Sequence, residues 1–280
     1  MPQTMDANFC QECESLGYIT VNGRRWAESK ICKCKHPCPD CRGEGRHIER
    51  DDQGMTFVTT CDCIHLKKRV RHFNEAHIPG AYHAKTVESF QPKTKLQNEV
   101  RQWFLAFQKR GKSSDRGILI MSNPGLGKTH LICGVLRYLV LERGQNCRYI
   151  DSFQLLQELK ASFESGGKSS KLMEEIASVD ILGMDELGKT RTTGWHREVL
   201  DQIISRRYNA KLTTFVTSNY GPHSSKSALQ DRNQDDSRLV EMARHESLRE
   251  RVGGRIYSRL MEMCQPLVID GQDMRIQDNQ

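Results

Sequence analysis

Between the apolar run Gly117-Ile118-Leu119-Ile120-Met121 and the segment His130 to Leu139 lies Ser122-Asn123-Pro124-Gly125-Leu126-Gly127-Lys128-Thr129. The first run reads as a buried strand. In the second, Leu131, Val135 and Leu139 recur every four residues, as on one helix face. A strand that turns through small residues into a helix opening on Gly-Lys-Thr has few ways to fold. The backbone N–H groups of the turn and the positive end of the helix dipole converge on one point, which suits phosphate. The Lys128 ammonium then reaches the β- and γ-phosphates, and the Thr129 hydroxyl holds Mg²⁺. Asn123, Pro124, Gly125, Leu126, Gly127, Lys128, Thr129 and His130 are therefore the candidate ATP-binding residues. Ser122 stands where this pattern usually has its first glycine, but the two glycines nearest the phosphates are present.

A second landmark follows at Val179-Asp180-Ile181-Leu182-Gly183-Met184-Asp185-Glu186, an apolar strand that ends in adjacent carboxylates. Alone it could be two exposed acids. After a phosphate loop, Asp185 reads as the Mg²⁺ orienter and Glu186 as the group that polarises the attacking water. A β-branched strand, Thr213 to Thr217, leads to Ser218 and Asn219. Asn219 reads either as a sensor of the γ-phosphate or as a turn-forming asparagine.

Eight of the eleven cysteines precede residue 64, in a repeat. Cys10, Cys13, Cys32 and Cys34 recur as Cys38, Cys41, Cys61 and Cys63, at offsets of 28, 28, 29 and 29 residues. Each copy has a turn signal at its middle, Asn22-Gly23 and then Asp51-Asp52-Gln53-Gly54. A hairpin there folds each copy back and gathers four thiolates, enough for one tetrahedral Zn²⁺ per copy with no open position, a structural site. Cys38-Pro39-Asp40-Cys41-Arg42-Gly43-Glu44-Gly45 resembles the zinc motif of DnaJ chaperones, which pairs its motifs non-sequentially, so crossed ligation stays open. An iron–sulfur cluster is the alternative metal. His36 and His47 are redundant beside four cysteines. Cys133, Cys147 and Cys264 lie in apolar surroundings and read as core residues.

Residues Ile64 to Ala76 form a basic helix, read as a solvated connector or a nucleic-acid contact, and Ile78-Pro79-Gly80 ends it. The expected division is a cysteine module at 1–63, a helical linker at 64–76 and an ATPase domain at 77–280. Pro92 precedes a helix with Val100, Trp103, Phe104 and Phe107 on one side. Ser152 is the expected N-cap of the helix after a second strand at 146–151. Tyr220 to Glu246 reads as a polar loop, disordered near Gln230 to Asp236. A helix through Leu248 to Leu260 would put Arg251, Arg255 and Arg259 on one face.

The N-terminus lacks the apolar core of a signal peptide, and charges interrupt the apolar runs before they reach membrane-spanning length. The expectation is a cytoplasmic protein without membrane contact. The formal charge is +7, and eight thiolates with two Zn²⁺ would lower it by four, so charge alone argues little for nucleic acid.

Several stretches taken together resemble a family. They are Ile78 to Tyr82 with Thr86-Val87-Glu88-Ser89-Phe90, the phosphate loop, Asp185-Glu186-Leu187-Gly188, Thr217-Ser218-Asn219, and Arg255-Ile256-Tyr257-Ser258-Arg259 running on to Cys264. Residues 77–275 are similar to AAA+ ATPases of the DnaC/DnaI type, the bacterial replicative-helicase loaders, with IstB-type transposition ATPases as close relatives. The implied fold is α/β: a five-stranded parallel sheet between helices, nucleotide at the carboxyl ends of its strands, preceded by a small zinc-bound β-hairpin domain.

The resemblance implies Walker A roles for Lys128 and Thr129 and Walker B roles for Asp185 and Glu186. It places sensor 1 at Asn219, an arginine finger at Arg259 with Arg255 as runner-up, and sensor 2 at Arg275. It also implies an extra helix at Phe163 to Leu172 facing single-stranded DNA, with Lys160, Phe163, Lys168 and Lys171 as contacts, although Gly166-Gly167 interrupts it. DnaI-like loaders carry an N-terminal zinc-binding domain that docks on helicase.

The implied activity is slow, DNA-stimulated ATP hydrolysis by a homo-oligomer that assembles on ATP. The implied partners are a hexameric replicative helicase and single-stranded DNA. A transposition helper, a zinc-bearing chaperone-like ATPase and a nucleotide-binding adaptor without hydrolysis are the rival readings.

Overall fold

In the computed structural model the described residues are 9–164, 169–189, 194–222, 246–269 and 271–274. The centre is a five-stranded sheet of β5 (Gly117–Ser122), β6 (Cys147–Asp151), β7 (Ile181–Asp185), β8 (Thr214–Ser218) and β9 (Cys264–Ile269). Its order is β6-β7-β8-β5-β9, with every pairing parallel. Strands β5, β7 and β8 are buried along their whole length, which is why they read as continuous apolar or β-branched runs rather than alternating ones. The expected parallel sheet is present, and its strand order puts the ends of β5, β7 and β8 side by side.

One face of the sheet is covered by α2 (Lys95–Arg110) and α3 (Lys128–Leu141). Thr94 caps α2 in a reciprocal capping box with Gln97. Phe104, Phe107 and Trp103 close around Phe215 of β8 with ring centroids 5.1–6.0 Å apart. The other face carries α4 (Ser152–Glu164), α5 (Ser169–Ser178), α6 (Gly194–Asn209), α7 (Leu248–Val252) and α8 (Gly254–Met263). Cys133, Cys147 and Cys264 are buried in these two cores, as expected.

Two local expectations change. Asp151, not Ser152, caps α4: its Oδ1 accepts from Phe153 N at 2.9 Å and Gln154 N at 3.0 Å. The Ser152 hydroxyl instead donates to Glu186 O at 2.9 Å. The helix expected through Leu248 to Leu260 breaks at Gly253, whose φ of 94° is left-handed and ends α7 before α8 begins. Arg251 therefore leaves the arginine stripe and turns to Glu246 and Tyr220, while Arg255 and Arg259 stay together on α8. Residues 223–245, with the run expected to be disordered, lie outside the described residues.

The cysteine repeat folds as two antiparallel hairpins, β1 (Tyr18–Asn22) with β2 (Ala27–Ile31) and β3 (Arg46–Arg50) with β4 (Thr56–Thr60). Both turn where the turn signals stand. Their packing differs. The first hairpin sends Tyr18 and Ala27 into the same core as Leu139 and Ile78. Ala27 N donates to Ile78 O at 2.6 Å, the Tyr18 hydroxyl donates to Glu142, and Trp26 stacks on His77.

Between hairpins and sheet runs α1 (Cys63–Glu75), the expected basic helix. It is not solvated all round. Phe73 is fully buried, and the Asn74 side chain brackets the Ser29 backbone, accepting from its N at 2.6 Å and donating to its O at 3.1 Å. The chain leaving α1 then meets the sheet: Tyr149 N of β6, an edge strand, donates to Ala76 O at 2.8 Å.

Arg207 of α6 is fully buried among backbone carbonyls. It donates to Val179 O and Thr213 O at 2.6 Å each and to Thr214 Oγ1 at 2.9 Å, tying α6 to the ends of α5 and β8. Burial pulls its guanidinium down to about 9. Arg207→Met keeps most of the volume but strands these carbonyls, so we expect a loss of about 3 kcal/mol or more. The midpoint of urea unfolding measures it, and a shift equivalent to under about 1 kcal/mol would contradict it. Among the described residues no helix is long and apolar enough to cross a membrane.

Candidate nucleotide site and cysteine clusters

The phosphate loop leaves β5 at Ser122 and enters α3 at Lys128. Gly125 and Gly127 have φ of 80° and 79°, which only glycine adopts without strain. A side chain at 127 would strike the Phe90 ring, and one at 125 the Asp273 carboxylate. Lys128 Nζ donates to Ser122 O (3.0 Å), Ser122 Oγ (2.8 Å), Asn123 O (2.9 Å) and Asn219 Oδ1 (2.8 Å). Ser122, the departure from the usual loop, thus supplies a hydroxyl that steadies the lysine. Asn219 reaches the same ammonium because β8 lies beside β5 in the sheet.

Asp185 ends β7 and is 3% exposed. Thr129 Oγ1 donates to its Oδ2 at 2.7 Å, and the Thr217 hydroxyl donates to Oδ1. Tyr149 OH donates to Oδ2 at 2.8 Å. Burial and the neighbouring Asp185 charge push the Tyr149 hydroxyl far above its ordinary range, so it stays a donor. Sequence reasoning missed Tyr149; its only signal is a place near the carboxyl end of the strand beside β7.

Glu186 takes a left-handed turn, φ 55°. Its N donates to Thr217 Oγ1 at 3.0 Å and its carboxylate pairs with Lys189. That contact raises the Lys189 ammonium.

Gly125, Gly127, Lys128, Thr129, Asp185, Glu186 and Asn219 line a cleft of about 480 Å³ with Pro124, Leu126, His130, Tyr82, Lys85, Ser89, Phe90, Gln91 and Met274. His130 Nε2 lies 2.8 Å from Thr86 O and 3.2 Å from Ser89 Oγ, and burial lowers its basicity. The tail after β9 crosses the loop, where Met274 N donates to Gly125 O at 3.1 Å. Arg275 lies outside the described residues.

The two candidate fingers do not line the cleft. Arg259 NH1 donates to Asp201 Oδ1 at 2.7 Å and Arg255 Nε lies 3.5 Å from the same oxygen. Arg259 is the more enclosed of the pair, its side chain 21% exposed against 73%. Of the residues expected near DNA, Phe163 is half exposed with its ring edge-on to Trp195, and Lys171 lies 3.8 Å from Glu175. Lys160 lines a separate groove of about 390 Å³ with Phe153 and His196. Lys168 lies outside the described residues.

At the other end of the chain the eight sulfurs converge within each copy, not across copies: Cys10, Cys13, Cys32, Cys34, and Cys38, Cys41, Cys61, Cys63. The ligand atoms of each set lie within 4.8 Å of one another. Cys10 and Cys32 sulfurs are 3.7 Å apart and Cys13 and Cys34 sulfurs 3.5 Å, with the same values for Cys38–Cys61 and Cys41–Cys63. A disulfide needs about 2.0 Å. Thiolates about 2.3 Å from a tetrahedral Zn²⁺ stand roughly 3.8 Å apart, so the donor set fits zinc. Gly17 N and Gly45 N each point at a sulfur, Cys13 at 3.4 Å and Cys41 at 3.1 Å, as partners for thiolate charge. His36 and His47 belong to neither set.

A family model described as IstB-like ATP binding protein matches residues 65–280. Over 199 residues, 68% of this chain, the sequence is 25% identical to the replicative helicase loader DnaC of Escherichia coli strain K12, spanning 79% of that protein. The replicative helicase loader DnaC of Buchnera aphidicola subsp. Acyrthosiphon pisum is 30% identical over 123 residues, 43% of this chain, and that match spans 50% of the relative. A crystal structure of the DnaC helicase loader superposes with a TM-score of 0.55 at 26% identity, covering 68% of this chain and 99% of that one. The sheet with its loop is the AAA+ P-loop fold. Since the family model runs from α1 through the loop, Asp185 and Asn219 to the tail, the chain belongs to the IstB-like ATP-binding proteins.

Proposed function

We propose that the protein is an ATP-driven loader that delivers the replicative helicase to single-stranded DNA. The observation that carries the chemical half is the meeting of Lys128, Thr129, Asp185, Glu186 and Asn219 at the carboxyl edge of one sheet. Similarity to the two DnaC loaders supports the biological half. The zinc module at 1–63 and the ATPase at 77–280 divide the work, with α1 joining them.

Each residue has a definite task. Lys128 turns from the Ser122 and Asn123 carbonyls to the β- and γ-phosphates, while the amides of Gly125 to Thr129 cradle them. Thr129 and Asp185 already share a hydrogen bond and would hold Mg²⁺, which supplies charge neutralisation at the phosphates. Tyr149 and Thr217 fix Asp185 as a positioning pair. Glu186 accepts the proton of the attacking water. Asn219 reports on the γ-phosphate through the lysine it touches. Arg259, released from Asp201, reaches a neighbouring subunit's γ-phosphate when ATP-bound subunits associate, with Arg255 in reserve and Arg275 as sensor 2. Turnover is slow and DNA-stimulated, and Phe163, Lys160 and Lys171 lie on the face that meets DNA. Eight cysteines hold two structural Zn²⁺.

Lys128→Ala provides the test. We expect ATP affinity to fall by about 10²-fold or more, because a preorganised cation facing the phosphates is lost. The full-length protein with ATP should retain the purified replicative helicase of its own cell and place it on circular single-stranded DNA. The Lys128→Ala protein should not place it. If no helicase is retained under any nucleotide condition, the loader reading fails; retention of a transposase instead assigns the protein to transposition.

A further inference from the structure

One short stretch, residues 76–82, joins the first cysteine hairpin to the nucleotide site. At its start Ala76 O accepts from Tyr149 N at 2.8 Å, and the Tyr149 hydroxyl donates to Asp185 Oδ2 at 2.8 Å. At its end Tyr82 lines the nucleotide cleft. Between them stands His77, whose φ of 54° is left-handed. A residue with a Cβ keeps that conformation only where its surroundings impose it, and such residues cluster at functional sites.

Here the hairpin imposes it. The turn between β1 and β2 lies against the stretch: Gly80 N donates to Arg25 O at 3.1 Å, Ala27 N donates to Ile78 O at 2.6 Å, and Trp26 forms an isolated antiparallel bridge with Pro79. A side chain at 80 would strike the Asn22 side chain and the Gly23 carbonyl, so this approach needs glycine. The Trp26 indole stacks on the His77 ring, with centroids 4.9 Å apart and planes 12° from parallel. Burial pulls His77 down to about 4, so the ring in the stack is neutral. The Arg25 guanidinium lies 4.6 Å from the indole and pairs with Glu158 of α4, which ties the turn to the ATPase fold a second time. Trp26, His77 and Tyr149 line one small recess of about 30 Å³.

These contacts decide where Ala76 O stands. The Tyr149 backbone lies between Gly183 of β7 and Ala76. Without Ala76 the end of β6 is held from β7 alone, and the hydroxyl moves with the backbone that carries it.

We propose that Trp26 is a positioning residue for the nucleotide site: its stack fixes the His77 turn, the turn seats Ala76 O on Tyr149 N, and Tyr149 sets Asp185 where Mg²⁺ with ATP needs it. The first hairpin is thereby part of the ATPase machinery. The inference rests on the ATPase half of the proposed function.

The test uses full-length, zinc-loaded protein, with zinc content and thermal melting as controls for folding. Trp26→Leu keeps an apolar side chain without the stack. The Tyr149 amide, protected in the wild type, should exchange with deuterium about tenfold faster or more in this variant, as a hydrogen bond opened locally does. The Mg²⁺ concentration for half-maximal binding of a fluorescent ATP analogue should rise about three- to tenfold, the worth of one hydrogen bond. Trp26→Phe, which keeps a stacking ring, should recover most of both. Tyr149→Phe should raise the Mg²⁺ requirement by itself, and adding Trp26→Leu should raise it no further, because both act through one contact. Leu200→Ala, in the core on the opposite face of the sheet, should lower the melting temperature and leave the Mg²⁺ requirement unchanged.

An unchanged requirement in Trp26→Leu, an additive double variant, or an equal rise in Leu200→Ala overturns the assignment and leaves the ATPase reading standing. Fast exchange of the Tyr149 amide in the wild type overturns it whether or not the variant folds. Failure of the wild type to bind ATP overturns both.

Discussion

Glu186→Gln is expected to lower ATP turnover by about 10²–10⁴-fold while nucleotide binding persists, the range for loss of a positioned general base. The geometry separates its task from that of Asp185. Asp185 is buried and takes three hydroxyl hydrogen bonds, from Thr129, Thr217 and Tyr149, so its role is to be held still. Glu186 is anchored through its backbone: its N donates to Thr217 Oγ1 and its O accepts from Ser152. The carboxylate stands clear of that cluster, partly exposed and paired with Lys189. Gln keeps size and polarity but cannot take a proton. Titration with a fluorescent ATP analogue and a phosphate-release assay check the two halves. Turnover within tenfold of wild type would assign the base elsewhere. Asp185→Asn, in contrast, should lose nucleotide affinity as well as turnover, because it disturbs Thr129.

Removing zinc is expected to have the largest effect on folding, with different reach in the two copies. A two-stranded hairpin alone is at best marginal in water, and a structural Zn²⁺ contributes about 10–16 kcal/mol in small metal-dependent domains. Cys41→Ser should unfold the second hairpin and leave the ATPase transition near its wild-type temperature, because β3 and β4 are exposed along most of their length. Cys13→Ser should lower that transition too, because Tyr18 and Ala27 belong to the core of α1 and α3. Zinc analysis with calorimetry distinguishes them. Two zinc ions per chain in both variants would refute the four-cysteine sites.

Much of the site was legible because its residues carry their signals locally. The phosphate loop, Asp185-Glu186 and Asn219 each close a strand, and a parallel sheet must bring such ends together. The cysteine sets were legible through a constant offset and through Asn22-Gly23 and Asp51 to Gly54, which fix where each copy folds back. What was hidden depends on neighbours distant in sequence. Tyr149 matters only because β6 lies beside β7. Arg207 looks like an ordinary surface arginine until three segments close over it. Asp151 and Ser152 are both good caps; the strand runs through Asp151, which leaves it the N-cap. Gly253-Gly254 in a helical pattern gives no sign of which glycine will turn left-handed. The burial of the first hairpin could not be seen either, since Tyr18 and Ala27 are unremarkable strand residues.

The hydrogen bond from Tyr149 N to Ala76 O has a practical consequence for truncation. Strand β6 ends the sheet, and residues before 77 give its outward edge a partner while the first hairpin and α1 cover the adjoining apolar surface. A chain begun at residue 77 would be an ATPase with an open sheet edge, ready to pair with any extended segment in solution. Such a fragment would precipitate or form strand-exchanged multimers, and its stoichiometry would say nothing about the assembly that ATP induces.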